Sequence, residues 1–351
     1  MENTVSSEWL EAAQEVLRMY GFSEPFELHK VYLHETGRDD YFKLIFAVDL
    51  ADGMRLVVKI LHEDRDHLKE RKKTENQSRF SEFIRLNGIK TPKRYAADGQ
   101  FCNELLWRDK RFNVTVEDWC GEEIMEITVE IARRIGGLMA QMHSLSTEAG
   151  FTIGSGTLFS AAYWNDVDAY DRFCEITGDA RLNQEAVAQI KSQREEKLAG
   201  LRKVWETLPK AAVQGDISIN NLVNGDDGLI VFDYNNAGDE VLVSDLVLEG
   251  LLTAFEMDLP AGETEAYREQ LFPALLEGYL SVRTLNEAEC AAAWDIYTLY
   301  HGLWFTRIVY NEDSLEKTVG RGEYEAANRL LKRMLDDITE RDDGRFRGIG
   351  G

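Results

Sequence analysis

The spacing of apolar residues changes near residue 115, and the two spacings cannot belong to one sheet or one helical bundle. Before that point, residues 26–33 alternate, and 41–50 and 54–61 are β-rich runs joined by a turn at 49–53 that ends in Gly53. A short amphipathic helix precedes them, with Trp9, Leu10, Ala13, Val16, Leu17 and Tyr20 on one face. A charged helix is predicted over 64–87, with Phe80, Phe83, Ile84 and Leu86 on its apolar side; Gly88 and Pro92 end it. Two more strands are predicted at 103–106 and 112–116. From Thr128 onward the pattern is helical, broken once by a β-rich island at 212–232. The reading is an α+β chain: a small antiparallel β domain carrying one helix (1–115), a hinge (116–124), a larger, mainly helical domain (125–341), and a tail (342–351) expected to fray.

Charge divides at the same place. The chain has 63 acidic and 40 basic side chains, net −23. Residues 1–115 hold 19 basic and 20 acidic groups; 116–351 hold 21 and 43. Between 211 and 320, only Arg268, Arg283, Arg307 and Lys317 face 20 acids. Such a balance argues against bulk binding to nucleic acid or an anionic membrane. A solvated acidic surface explains most of it; the alternative is that some of the acids line a site for a cation. With 44% hydrophobic residues and five prolines, the chain has the means to bury a core. Cys102, Cys120, Cys174 and Cys290 are far apart, with neither zinc-site nor disulfide-framework spacing, and read as reduced thiols. There is no apolar run long enough to span a bilayer and no signal-peptide pattern, so a soluble cytoplasmic protein is expected; monomer or dimer stays open.

The island carries the chemistry. Gln214-Gly215-Asp216 is followed by Asn221, the apolar pair Leu222-Val223, an Asn/Gly/Asp turn, and a second apolar run ending at Val231-Phe232-Asp233. A hairpin of this kind brings Asn221 and Asp233 together at its open end, both with the hard oxygens that Mg²⁺ prefers. Asp216, pointing toward the same space, could accept a proton. Two metal ligands and one carboxylate base form the set that phosphoryl transfer needs.

These residues resemble the catalytic loop and metal-binding segment of the aminoglycoside phosphotransferase and choline kinase-like family, which has the protein-kinase-like fold. The family pattern is His-Gly-Asp, four residues, Asn, an apolar pair, then an apolar strand ending in Asp. Asp245-Leu246 also falls where the family has an Asp-Leu, whereas Gln214 stands in place of the family's His, which braces the loop backbone. Gln both donates and accepts hydrogen bonds, so the loop is expected to be held differently but not disarmed. The resemblance implies a bilobal fold and a kinase using ATP or GTP with Mg²⁺. It implies Asp216 as catalytic base, Asn221 and Asp233 as metal and cofactor ligands, and Lys59 in the strand 55–61 as the phosphate-holding lysine. Glu75 is the expected partner of that lysine, with Glu82 and Glu70 as competitors. A phosphate-covering loop falls at 35–40, although it has a single glycine, and a purine-binding hinge at 116–121. His143 reads as a core histidine with a structural hydrogen bond.

The acceptor is expected to be a small hydroxylated molecule. Asp239, Glu240, Glu249, Glu256 and Asp258, with Tyr297, Tyr300, Trp304 and Phe305, are the acids and aromatics available to a cationic, aminoglycoside- or choline-like substrate, although helical spacing of the aromatics suits a core equally. Two alternatives are a kinase of a neutral or zwitterionic metabolite, homoserine- or thio-sugar-like, and a catalytically idle nucleotide-binding protein. His62 and His67 are five apart and do not share a helix face as zinc ligands would; Gly136-Gly137 and Gly154-Ser155-Gly156 lack the preceding strand of a phosphate loop.

Overall fold

The computed structural model describes residues 6–38, 41–63, 67–157, 160–162, 169–217, 219–225 and 227–347. The chain divides into two compact units: Met1–Ile124 with Ile153–Ser155 and Asn220–Ala237, and Met125–Thr152 with Gly156–Ile219 and Gly238–Gly351.

In the first unit, five antiparallel strands, β1 (Phe26–Arg38), β2 (Tyr41–Leu50), β3 (Arg55–Glu63), β4 (Asn103–Trp107) and β5 (Lys110–Asp118), are ordered β1-β2-β3-β5-β4. Alternation gives the sheet two faces. Phe42, Leu44, Phe46, Val48, Leu56, Val58, Ile60, Val114 and Val116 form one face, packed with the buried side of α1 (Ser7–Met19) at Ala12, Ala13, Val16 and Leu17. Trp9 stacks on Phe42 with ring centroids 4.2 Å apart. The other face is set by register. Ile45 pairs with Lys59 and Ala47 with Val57; on the far side Lys59 pairs with Thr115 and Val57 with Glu117. Helix α2 (His67–Leu86) docks the segment after the hairpin, its Gln77 Nε2 donating to the carbonyls of Asn235 (2.6 Å) and Ala237 (3.0 Å). The start expected for this helix, 64–66, lies outside the described residues. The expected loop at 35–40 is corrected: Glu35–Arg38 continue β1, because the ladder to β2 runs on to Arg38↔Tyr41, and 39–40 lie outside the described residues.

The second unit is built on helices. Thr128 caps α3 (Val129–Ala149), its hydroxyl accepting from the Ile131 N–H, and Gly150 ends it at φ 59°. α3 crosses α8 (Leu271–Leu280) at a glycine contact: a Cβ on Gly136 would lie 1.9 Å from the Leu275 carbonyl oxygen, and one on Gly278 1.9 Å from that of Arg133. Gly136 is therefore a packing device. Helix α4 (Tyr170–Ile176), α5 (Gln184–Val204) and the two-stranded sheet of β6 (Lys210–Val213) and β9 (Gly238–Val241) lead to α6 (Leu242–Phe255), buried throughout from Leu242 to Ala254. Between β6 and β9 in sequence, β7 (Leu222–Gly225) and β8 (Gly228–Val231) belong to the first unit. After α6 follow α7 (Glu265–Arg268), α8, α9 (Glu287–Gly302), α10 (Leu315–Gly320) and α11 (Tyr324–Ile338). No described helix is long and apolar enough to cross a membrane.

The tail differs from expectation. Phe346 is buried, 6.0 to 6.3 Å by ring centroid from Phe272, Tyr297 and Trp294, and the Arg345 guanidinium lies over the Trp294 and Tyr297 rings. One aromatic side chain supplies the apolar area that composition alone hid; residues 348–351 lie outside the described residues.

Candidate active site

In the first unit, β7 and β8 form the hairpin read from sequence, with Leu222 opposite Val231 and the Phe232 N–H donating to the Asn221 carbonyl at 2.9 Å. That register puts Asn221 and Asp233 at the open end. Asp233 adopts a left-handed conformation (φ 52°), which Asp tolerates because its carboxylate bonds its own backbone two residues on; here Oδ1 accepts from the Asn235 N–H at 3.3 Å.

Lys59 Nζ lies 3.0 Å from Glu117 Oε1 and 3.3 Å from Asp233 Oδ1. The other oxygen of Glu117 takes Arg94 Nη2 at 3.0 Å, and Arg94 Nη1 donates to Ser78 Oγ at 3.2 Å. Lys59, Glu117 and Arg94 are buried, whereas the Asp233 side chain is 25% exposed. Burial works against the charge on Lys59, but Asp233 and Glu117 outweigh it and hold the ammonium above its ordinary value. Burial likewise opposes the Asp233 charge, and Lys59, Lys43 and Arg94 overcome it, so the carboxyl is held below the usual range. Ile45, Ala47 and Val57 share this face of the sheet, with Tyr32 and Trp119 packed against them and the Trp119 indole N–H donating to the Tyr32 hydroxyl. An ionised, partly accessible carboxylate beside an amide is a donor set that fits Mg²⁺ completed by phosphate and water. No group of three or more His, Cys, Asp or Glu stands ready for a metal among the described residues.

The expected Lys59–Glu75 pair is corrected. Glu75 Oε2 accepts from the Phe101 and Cys102 N–H groups at 2.7 and 2.8 Å, and Oε1 pairs with Arg79 at 2.8 Å. Glu82 pairs with Arg85. The carboxylate on Lys59 is Glu117, which sequence reasoning placed only within a hinge. Its signal was available: alternation along β5, laid antiparallel on β3, puts Thr115 and Glu117 on the Lys59 face.

In the second unit, Gln214 is buried and its Oε1 accepts the Asp216 N–H at 2.8 Å, so the residue replacing the family His braces the loop by accepting. Glu249, fully buried in α6, accepts the Ile217 N–H at 2.9 Å. Asp216 itself is half-buried. His143 is buried as expected, between the Tyr279 hydroxyl (Nδ1, 2.8 Å) and Asp245 Oδ2 (Nε2, 3.0 Å).

The residues nominated for the acceptor fare differently. Tyr297, Tyr300 and Trp304 are core side chains. Glu256 accepts from the Trp304 indole N–H and the Thr306 hydroxyl; Glu240 accepts from the Val241 N–H and Thr157. Burial pushes the Glu240 carboxyl up to about 7. Glu249, buried beneath the loop, is removed from solvent altogether. Asp258 is exposed and Asp239 and Phe305 half-buried. A cavity of about 1220 Å³ in this unit, lined by Phe255, Phe272, Tyr297, His301, Arg345 and Phe346 among others, has none of Asp216, Ile217 or Glu249 in its wall.

No family model matches the chain, and no curated protein matches it. Solved structures do. A microcompartment-associated aminopropanol kinase aligns with TM-score 0.63 and 16% identity, over 95% of this chain and 99% of that one. An amicoumacin kinase, solved with AMP-PNP, Ca²⁺ and Ami, gives 0.61 and 15% over 96% and 98%. An aminoglycoside phosphotransferase from Alicyclobacillus acidocaldarius subsp. acidocaldarius DSM 446 gives 0.55 and 12% over 92% and 96%. The likeness is one of fold: the chain has the protein-kinase-like fold that the hairpin pattern implies.

Proposed function

We propose that this chain is a small-molecule kinase that transfers the γ-phosphate of ATP or GTP to a hydroxyl of a cationic acceptor. The observation that carries the reading is the buried Lys59, held between Glu117 and the hairpin Asp233 on a sheet face with Ile45, Ala47 and Val57. A buried ammonium with two carboxylates is costly to assemble and suits a group that must meet phosphate oxygens. The three similar structures bear the names of kinases or a phosphotransferase, which supports it.

In this reading Lys59 binds the α- and β-phosphates and Glu117, itself fixed by Arg94, orients it. Asn221 and Asp233 hold Mg²⁺, which when bound supplies charge neutralisation at the phosphates. Asp216 orients the acceptor hydroxyl and takes its proton. The cationic acceptor rests on the 20 acids against four basic residues over 211–320. A neutral or zwitterionic acceptor gains from the engagement of Glu240, Glu249 and Glu256 elsewhere in the fold.

The test is purified protein with Mg²⁺ and ATP or GTP against a panel of amines, sugars and antibiotics. Nucleotide consumption matched by acceptor phosphorylation is expected, with an acceptor KM that rises with salt. Binding of Mg·nucleotide in a thermal-shift titration without consumption across the panel would favour the idle protein instead. An acceptor KM indifferent to salt would favour the neutral substrate.

A further inference from the structure

α6 is apolar on nearly every side, yet it carries two acids, Asp245 and Glu249, one turn apart and both buried. They are not alike. The Arg283 guanidinium donates to the Tyr279 hydroxyl oxygen at 3.1 Å, so the Tyr279 proton is free to point at His143 Nδ1. The other ring nitrogen, Nε2, lies 3.0 Å from Asp245 Oδ2. Asp245 therefore has a hydrogen-bonded partner in His143. Glu249 has no cation paired with it among the described residues. Its Oε2 accepts the Ile217 N–H, and its Oε1 is buried with no hydrogen-bond partner among the described residues. The titratable groups that face it are Asp245 on its own helix, Asp216 in the loop and Tyr300 on α9, two of them acids.

An ionised Glu249 would be a buried charge beside the Asp245 and Asp216 carboxyls, which desolvation and like-charge repulsion both oppose. We propose that Glu249 is a positioning residue for Asp216: it stays a neutral carboxylic acid, fixes the Asp216–Ile217 peptide through the Ile217 N–H, and spares Asp216 a like charge at its back. The idea rests on Asp216 being the base. Burial first, then the Asp245 and Asp216 charges, push the Glu249 carboxyl well above its ordinary value, in keeping with the geometry. Gln214 secures the N–H of Asp216 and Glu249 the next one, so two consecutive peptide units of the loop are held from below.

Glu249→Gln keeps the acceptor oxygen and the neutrality. With an acceptor that turns over, its kcat and pH–rate profile should stay within about threefold of wild type. Glu249→Leu removes the acceptor and should lower kcat about 10- to 100-fold while the KM for Mg·ATP moves less than about twofold. A loss in Glu249→Gln equal to that in Glu249→Leu, or an undiminished Glu249→Leu, overturns the proposal. A second measurement needs no turnover. A carboxyl whose folded pKa is raised favours the native state below its unfolded value and loses that contribution as pH rises toward the folded one. The Tm of Glu249→Gln should therefore gain on wild type by about 4 °C between pH 5 and pH 8; a constant difference means an ionised Glu249 and sinks the idea. If Asp216→Asn retains turnover, the kinase mechanism fails while the melting result still stands.

Discussion

Two buried clusters of charge sit in the two units, and they are stabilised by opposite means. Around Lys59, cations and carboxylates alternate: Arg94, Glu117, Lys59, Asp233, each within 3.3 Å of the next. Around Glu249 the described residues place carboxyls and no cation, and in our proposal a proton takes the place of the missing charge. The first cluster stays charged because opposite charges meet in low dielectric; the second is tolerable because one acid stays neutral. Pairing suits the proposed role of this site, in which it holds a highly charged phosphate chain. Neutral hydrogen bonding suits a loop whose Asp216 is proposed to accept a proton.

The contrast is open to attack at several points. Asp216→Asn should produce the largest effect, a fall of about 10²- to 10⁴-fold in kcat with the Tm nearly unchanged; retained turnover would remove the second cluster from the chemistry. Lys59→Met leaves Glu117 and Asp233 facing each other without their cation. It should destabilise the fold by about 3–5 kcal/mol, read by urea denaturation, and abolish the Mg·nucleotide thermal shift. A variant as stable as wild type would show that this pairing contributes little. Glu240, also in the second unit, is a separate instance of the neutral solution: its stabilising contribution is complete below about 4.5 and lost as pH rises through about 7. Glu240→Gln should accordingly flatten the stability–pH curve between about pH 4.5 and 7 by up to about 3 kcal/mol. The smallest effect belongs to Glu75→Gln. With Lys59 on Glu117, only the pair with the half-exposed Arg79 is given up, about 1 kcal/mol or less, and nucleotide affinity should hold. A large loss of affinity there would restore Glu75 as the partner of Lys59.

Much of this was legible in the chain. The hairpin Asn221–Asp233 is local, and local spacing plus turn chemistry sufficed to read it. Lys59 stood out as a lysine inside an apolar strand. The ends of α2 and α3 followed from Gly88, Pro92 and Thr128. What escaped was every choice of partner. Glu75 and Glu117 are both acids a plausible distance along the chain from Lys59, and only the laying of β5 on β3 decides between them. Glu249, nominated for the acceptor on composition, is instead turned beneath the loop by the phase of α6. Phe346 looked like part of a frayed end until three aromatic rings from α8 and α9 enclosed it.

The sequence by itself therefore determined the kinds of element, their order, and the residue types available to a phosphoryl-transfer site, because periodicity and short spacings are set by covalent geometry. The tertiary structure alone decided which acids stay charged. The surroundings of a buried acid are set by neighbours brought from tens of residues away: Glu117 meets Lys59 and Arg94, whereas burial and the acids beside Glu249 push its carboxyl well above its ordinary value.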